Sequence, residues 1–204
     1  KYELAEYQEA IEYYQKAIEL DVSNPFLYKC VGICNGLLER YQEAIEYYQK
    51  AIELDVPNLV ESYKLLGKCY IRLKKYKDAI GSYRKALEID PDLALPYARI
   101  GRCFFEEKNY SEAIDQLKKS IEIDPQEKEY PYEENDSVHY WLGLALNESG
   151  DYKNALDTLL VADELYPNNI LIHKEILRSY KFLENQEKVK EYLEKIDKLE
   201  KESQ

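Results

Sequence analysis

Apolar and polar positions follow a helical period along most of the chain. From Tyr7 the apolar residues fall at Ala10, Tyr13, Tyr14, Ala17 and Ile18, one stripe of an α-helix. The stripe returns at a fixed interval. YQEAIEYYQKAIELDV runs from Tyr7 to Val22 and again, unchanged, from Tyr41 to Val56. Weaker copies are YKDAIGSYRKALEIDPD from Tyr76, YSEAIDQLKKSIEIDPQ from Tyr110 and YKNALDTLLVADELYPN from Tyr152. A degenerate copy, QEKVKEYLEKIDKLE, starts at Gln186. Between the copies lies a second helical segment: YKCVGICNGLLE from Tyr28, YKLLGKCYIRLKK from Tyr63, YARIGRCFFEEKN from Tyr97 and HYWLGLALNESGD from His139. Pro25, Pro57, Pro91, Pro125 and Pro167 fall between repeats, where a residue without an N–H ends a helix. The short linkers left over predict antiparallel neighbours.

The repeat residues resemble the tetratricopeptide repeat family. One copy carries the family pattern throughout, in Tyr63, Leu66, Gly67, Tyr70, Ala79, Tyr83, Ala86 and Pro91. The next keeps Tyr97, Ile100, Gly101, Phe104, Ala113, Leu117, Ser120 and Pro125. A third keeps Gly143, Leu146, Ala155, Leu159, Ala162 and Pro167, and the first full copy keeps Tyr28, Val31, Gly32, Ala44, Tyr48 and Ala51. The resemblance implies an all-α fold, a right-handed superhelical α-solenoid of antiparallel helix pairs. Its register divides one domain, 1–204, into a partial repeat 1–24, full repeats 25–59, 60–93, 94–127, 136–169 and 170–203, and an insertion 128–135. Gly67 and Ala79 are expected to face each other where the two helices meet, with tyrosines filling the space around them. One unit cannot cover its own apolar face, so stacking is obligatory.

Composition narrows the function. The chain has 28 Lys+Arg against 40 Asp+Glu and a net charge of −12, which argues against nucleic acid as the ligand. No apolar run is long enough to span a bilayer. Cys34, Cys69 and Cys103 each sit two residues after a repeat glycine, a slot that Ala145 and Ser179 fill elsewhere. They read as small packing residues, not metal ligands, and free thiols suit the reducing cytoplasm. His139 and His173 share the slot of Tyr28, Tyr63 and Tyr97, and the spacing suggests no carboxylate or nucleophile for either. No phosphate loop, HExxH or GxSxG occurs, so no catalytic residue, metal or cofactor is assigned.

The family's first helices line a concave groove for peptides, and the resemblance places a binding surface there. Register assigns to it Lys29, Ile33, Lys64, Lys68, Arg72, Arg99, Arg102, Phe105, Tyr140 and Asn147. Lys64, Lys68 and Arg72 form one helical stripe, with Arg99 and Arg102 in the next repeat. Such a cluster suits an acidic peptide. It reads equally well as a solvated face, with Glu61 and Glu106 neutralising neighbours. A two-carboxylate clamp known in part of the family is incomplete: Lys29 and Arg99 fit it, but Ile33, Leu65 and Leu95 replace its other positions.

Three roles follow: a non-catalytic scaffold for a protein or peptide partner, a recognition arm of a larger enzyme, or a structural repeat assembling end to end through its N-terminal helix. The insertion, Lys128 to Asn135, is read as a surface excursion. Lys1 to Leu4 read as the tail of an incomplete first helix, which makes the chain a fragment. The segment from Asn185, rich in Lys and Glu, reads as a solvated terminal cap.

Overall fold

The computed structural model describes residues 2–54, 59–127 and 137–202; the insertion lies outside them. The described residues form helices only, making an all-α solenoid of helix pairs. They are α1 (Tyr2–Leu20), α2 (Pro25–Leu37), α3 (Tyr41–Leu54), α4 (Leu59–Arg72), α5 (Tyr76–Ile89), α6 (Ala94–Glu106), α7 (Tyr110–Ile123), α8 (Val138–Ser149), α9 (Tyr152–Leu165), α10 (Ile170–Phe182) and α11 (Gln186–Glu202). The chain divides into two compact units, residues 1–96 and 97–204. In the first, α2 pairs with α3 and α4 with α5, while α1 packs on α2 and α3 on α4. In the second, α8 pairs with α9 and α10 with α11, and α8 also touches α10.

One turn closes every pair. After α2 the N–H of Arg40 donates to the Asn35 carbonyl at 2.9 Å, and that of Glu39 to the Gly36 carbonyl at 3.1 Å. The same two bonds recur after α4, α6, α8 and α10. They are the Schellman closure, whose pivotal residue is left-handed. Gly150 takes that place once; Glu39, Lys74, Lys108 and Glu184 take it at φ of 56 to 60° without being glycine.

Close approach within a pair is set by the repeat glycine. A Cβ on Gly67 would lie 2.7 Å from the Tyr83 ring. The nearest atoms to that Cβ are thus those of the Tyr83 ring, and at Gly101 the Ala113 carbonyl, in the register of Ala79, also lies 3.2 Å away. At Gly101 the same role falls to Leu117, 2.6 Å from a built Cβ. Tyr83 and Leu117 are fully buried, and alanines at 79, 86 and 113 admit the neighbouring backbone.

The N-terminal end departs from the expectation. Tyr2 to Leu4 continue directly into α1 and are not the tail of another helix. Ala5 stands where later repeats have the left-handed turn residue, and alanine is the strongest helix former. Although α1 and α3 share sequence, Ala44, Tyr48 and Ala51 are buried while Ala10, Tyr14 and Ala17 are half-buried. α2 covers α1 through Val31 and Cys34 against Ile11, and Tyr47 of α3 reaches the same cluster. In the last pair Leu177 occupies the glycine slot. Leu193, in the register of Leu159, is left 44% exposed, and Tyr192 is buried beside it.

Gly67→Ala is expected to cost about 1–3 kcal/mol through overpacking against Tyr83. Gly81, within α5, has nothing within 4 Å of a built Cβ. There Gly81→Ala is expected to gain up to about 1 kcal/mol from helix propensity. Urea denaturation of the two variants checks both signs.

Candidate functional site

The assigned residues fall in both units, and each unit presents its own surface. In the first unit, α2 exposes Phe26, Ile33 and Leu37, an apolar strip with half-buried Lys29 beside it. Its N-terminus is fixed by Asn24, whose side chain accepts the Phe26 N–H, and by Pro25 at the first position. On α4, Lys64, Lys68 and Arg72 follow one another by single turns. The Lys64 ammonium lies 2.9 Å from the Glu61 carboxylate, so that charge is answered within the helix. Lys68 and Arg72 stand exposed.

In the second unit the assigned residues gather around one that register did not select, Trp141. The Arg102 guanidinium sits 4.8 Å from the centre of the Trp141 ring. Phe105 meets the same ring edge-on at 5.4 Å, and Tyr140 meets it at 5.8 Å. Tyr110 adds a fourth ring, 5.5 Å from Phe105. Arg102, Phe105, Tyr140 and Trp141 are all half-buried, so each is fixed yet reachable. Burial, with Glu175 nearby, pushes the Tyr140 hydroxyl up to about 12. Arg99 is also half-buried on α6. Trp141 follows Tyr140 in the first turn of α8, and that adjacency is the signal in the sequence that could have found it.

Asn147 corrects the register assignment. It is 1% exposed and turned into the α8–α10 contact. Its amide donates to the Glu175 carboxylate at 3.0 Å, and its oxygen accepts from the Ser179 hydroxyl at 2.8 Å. A polar group this enclosed is spent on its own chain and offers a peptide nothing. Arg178 lies close by, 2.6 Å from Glu148 and 3.6 Å from Glu175.

The histidines also differ from expectation, because each has a carboxylate. His139 Nδ1 lies 2.7 Å from Glu127 Oε1. The same oxygen accepts from the His139 backbone N–H at 2.9 Å and the Ser137 hydroxyl at 3.0 Å. Tyr166 donates to Glu127 Oε2 at 3.3 Å. Glu127 is 4% exposed, so this network ties the residue before the insertion to the start of α8. His173 Nε2 lies 2.7 Å from Asp163 Oδ1, and Tyr192 donates to the other oxygen at 3.3 Å. Sequence spacing could not reveal these partners, which reach across turns. Ser137 is bonded to Glu127 and not to the imidazole, so the trio lacks the nucleophile-to-base contact of a hydrolase triad.

The Cys69 thiol is pushed up to about 11 and that of Cys103 to about 12, both chiefly by burial. Burial also raises Cys34. Among the described residues no group of His, Cys, Asp and Glu could hold a metal, and no helix is long and apolar enough to cross a membrane.

Family models described as tetratricopeptide repeat match residues 1–24, 26–92, 72–132 and 127–170. The chain belongs to the tetratricopeptide repeat family. A crystal structure of MamA superposes with a TM-score of 0.74 at 25% identity, over 85% of this chain and 96% of that one. Part of a tetratricopeptide-repeat protein from Cytophaga hutchinsonii gives 0.76 at 23% identity, over 95% of this chain and 74% of that one. YrrB, described as having an unusual peptide-binding site, gives 0.71 at 22% identity over 91% of each chain. The last two likenesses carry the fold alone. No curated protein matches the chain.

The thiols give a direct check. Because burial favours the neutral form, Cys69 and Cys103 hold almost no thiolate at pH 8. A thiol-reactive dye at that pH is expected to label half-buried Cys30 first and leave Cys69 and Cys103 untouched until denaturant is added.

Proposed function

We propose that the protein is a non-catalytic interaction scaffold whose first helices take an acidic peptide segment of a partner protein. The observation that carries this reading is Arg102 held over Trp141 beside Phe105 and Tyr140. A guanidinium laid on a ring loses little freedom when it meets a carboxylate, and half-buried aromatics supply apolar contact. The first unit, taken by itself, exposes Lys68 and Arg72 on α4 in a chain of net −12. Membership of the tetratricopeptide repeat family supports a protein-interaction scaffold. YrrB's description as a peptide-binding protein is in keeping with it. The four free thiols suit a cytoplasmic setting.

Fluorescence anisotropy with a labelled peptide bearing several Asp and Glu around one Phe tests this. Affinity is expected to fall as salt rises. Arg102→Glu and Trp141→Ala are each expected to weaken binding about tenfold or more. Binding insensitive to both salt and Arg102→Glu would overturn the reading.

A further inference from the structure

The first unit carries a second surface, made of residues that the first-helix face does not use. An open trough of about 600 Å³ runs between α3 and α5, lined by Gln49, Ile52 and Glu53 on one wall and by Lys77, Asp78, Gly81 and Lys85 on the other. Tyr63, Leu66 and Tyr70 of α4 form its floor. Glu53 is held by Lys50 at 2.9 Å, and the Lys85 ammonium stands 5.4 Å over the Tyr63 ring.

Gly81 is the unusual residue. Its register is Glu12 in α1, Glu46 in α3, Asp115 in α7, Asp157 in α9 and Glu191 in α11. A glycine inside a helix is unfavourable, and at Gly67 a ring in contact requires it. At Gly81 nothing within the chain does, because a Cβ there meets open space. Lys77 and Lys85 stand one turn to either side. In α11 the equivalent acid is present: Glu191 accepts from Lys188 at 2.7 Å and Lys195 at 3.1 Å. Lys85 stands in the register of Lys195, and Lys77, one turn before Gly81, supplies a second ammonium, so in α5 two lysines flank a position that carries no carboxylate.

We propose that this trough docks an α-helix of a partner protein. That helix presents an Asp or Glu to Lys77 and Lys85 and lays an adjacent apolar side chain on Tyr63, Leu66 and Tyr70. Bare backbone at Gly81 allows another helix to come close. A helix also places an acid and an apolar residue three or four positions apart on one face, along the two turns from Lys77 to Lys85. Asp78 on the rim selects against a partner acidic at every position.

The test is a displayed library of helix-forming peptides about 16 residues long, selected on the full chain and compared on variants. Gly81→Glu supplies the missing carboxylate from within and fills the seat, at a position with room for it, so it is expected to melt no lower than wild type. Recovered peptides are expected to carry Asp or Glu three or four positions from a large apolar residue. They should bind Gly81→Ala about as well as wild type and lose about tenfold or more on Gly81→Glu and on Lys77→Glu/Lys85→Glu. Failure to recover peptides sensitive to Gly81→Glu, or recovery of peptides without an acid, would overturn the proposal. So would a wild-type dimer in sedimentation that Gly81→Glu dissociates, since a second copy would then be the occupant. Arg102→Glu is expected to leave these peptides bound, which separates this outcome from the fate of the first-helix reading.

Discussion

A glycine backbone pressed against the side chain of the following helix sets the spacing within these hairpins. With Gly67 under the Tyr83 ring and Gly101 under Leu117, the two helices of a pair come closer than any side chain at the glycine would permit. That approach puts the neighbouring positions under the same demand for small groups. Cys69 and Cys103, two residues on, are buried for that reason, and burial makes their thiols poor acids. It also decides which stripe of each first helix is left outward. On α6 the glycine and cysteine turn inward, and Arg102 and Phe105 meet Trp141. The last pair shows the dependence in reverse: with Leu177 in the glycine slot, burial passes from the leucine of the second helix to the tyrosine before it.

Features that depend on contacts within one repeat were legible in the sequence. The second helices begin at Tyr41, Tyr76, Tyr110 and Tyr152, where the periodic stripe begins, and the glycine and cysteine slots are buried. What register misjudged depends on neighbours outside the repeat. Asn147 shares a helix face with exposed residues, yet Ser179 and Glu175 from the following repeat enclose it. Glu127 and Asp163 meet their histidines across turns, at separations that no helical or strand period marks. Tyr14 and Tyr48 occupy the same place in identical segments and differ in burial because only one is covered on both sides. A repeat pattern assigns each position one environment, and these positions have more than one.

The charge distribution follows the same division. Much of the acidic excess sits on second helices and turns, where Glu and Asp recur in register. On the first helices, Lys68 and Arg72 of α4 are exposed, and the half-buried Arg102 of α6 lies beside aromatics in the second unit. Gly81 breaks the acidic register at a single second helix and leaves Lys77 and Lys85 facing an open trough. An acidic chain that keeps positive charge next to apolar surface in two distinct places has surfaces for carboxylate-bearing partners and is otherwise protected from them by repulsion.

Amide chemical-shift mapping with an acidic, phenylalanine-containing peptide tests the central claim most directly. The first-helix account predicts shifts concentrated in the second unit at Arg102, Phe105, Tyr140 and the Trp141 indole, with α7 and α9 unmoved beyond Tyr110. Shifts concentrated on the second helices, with the Trp141 indole silent, would contradict it.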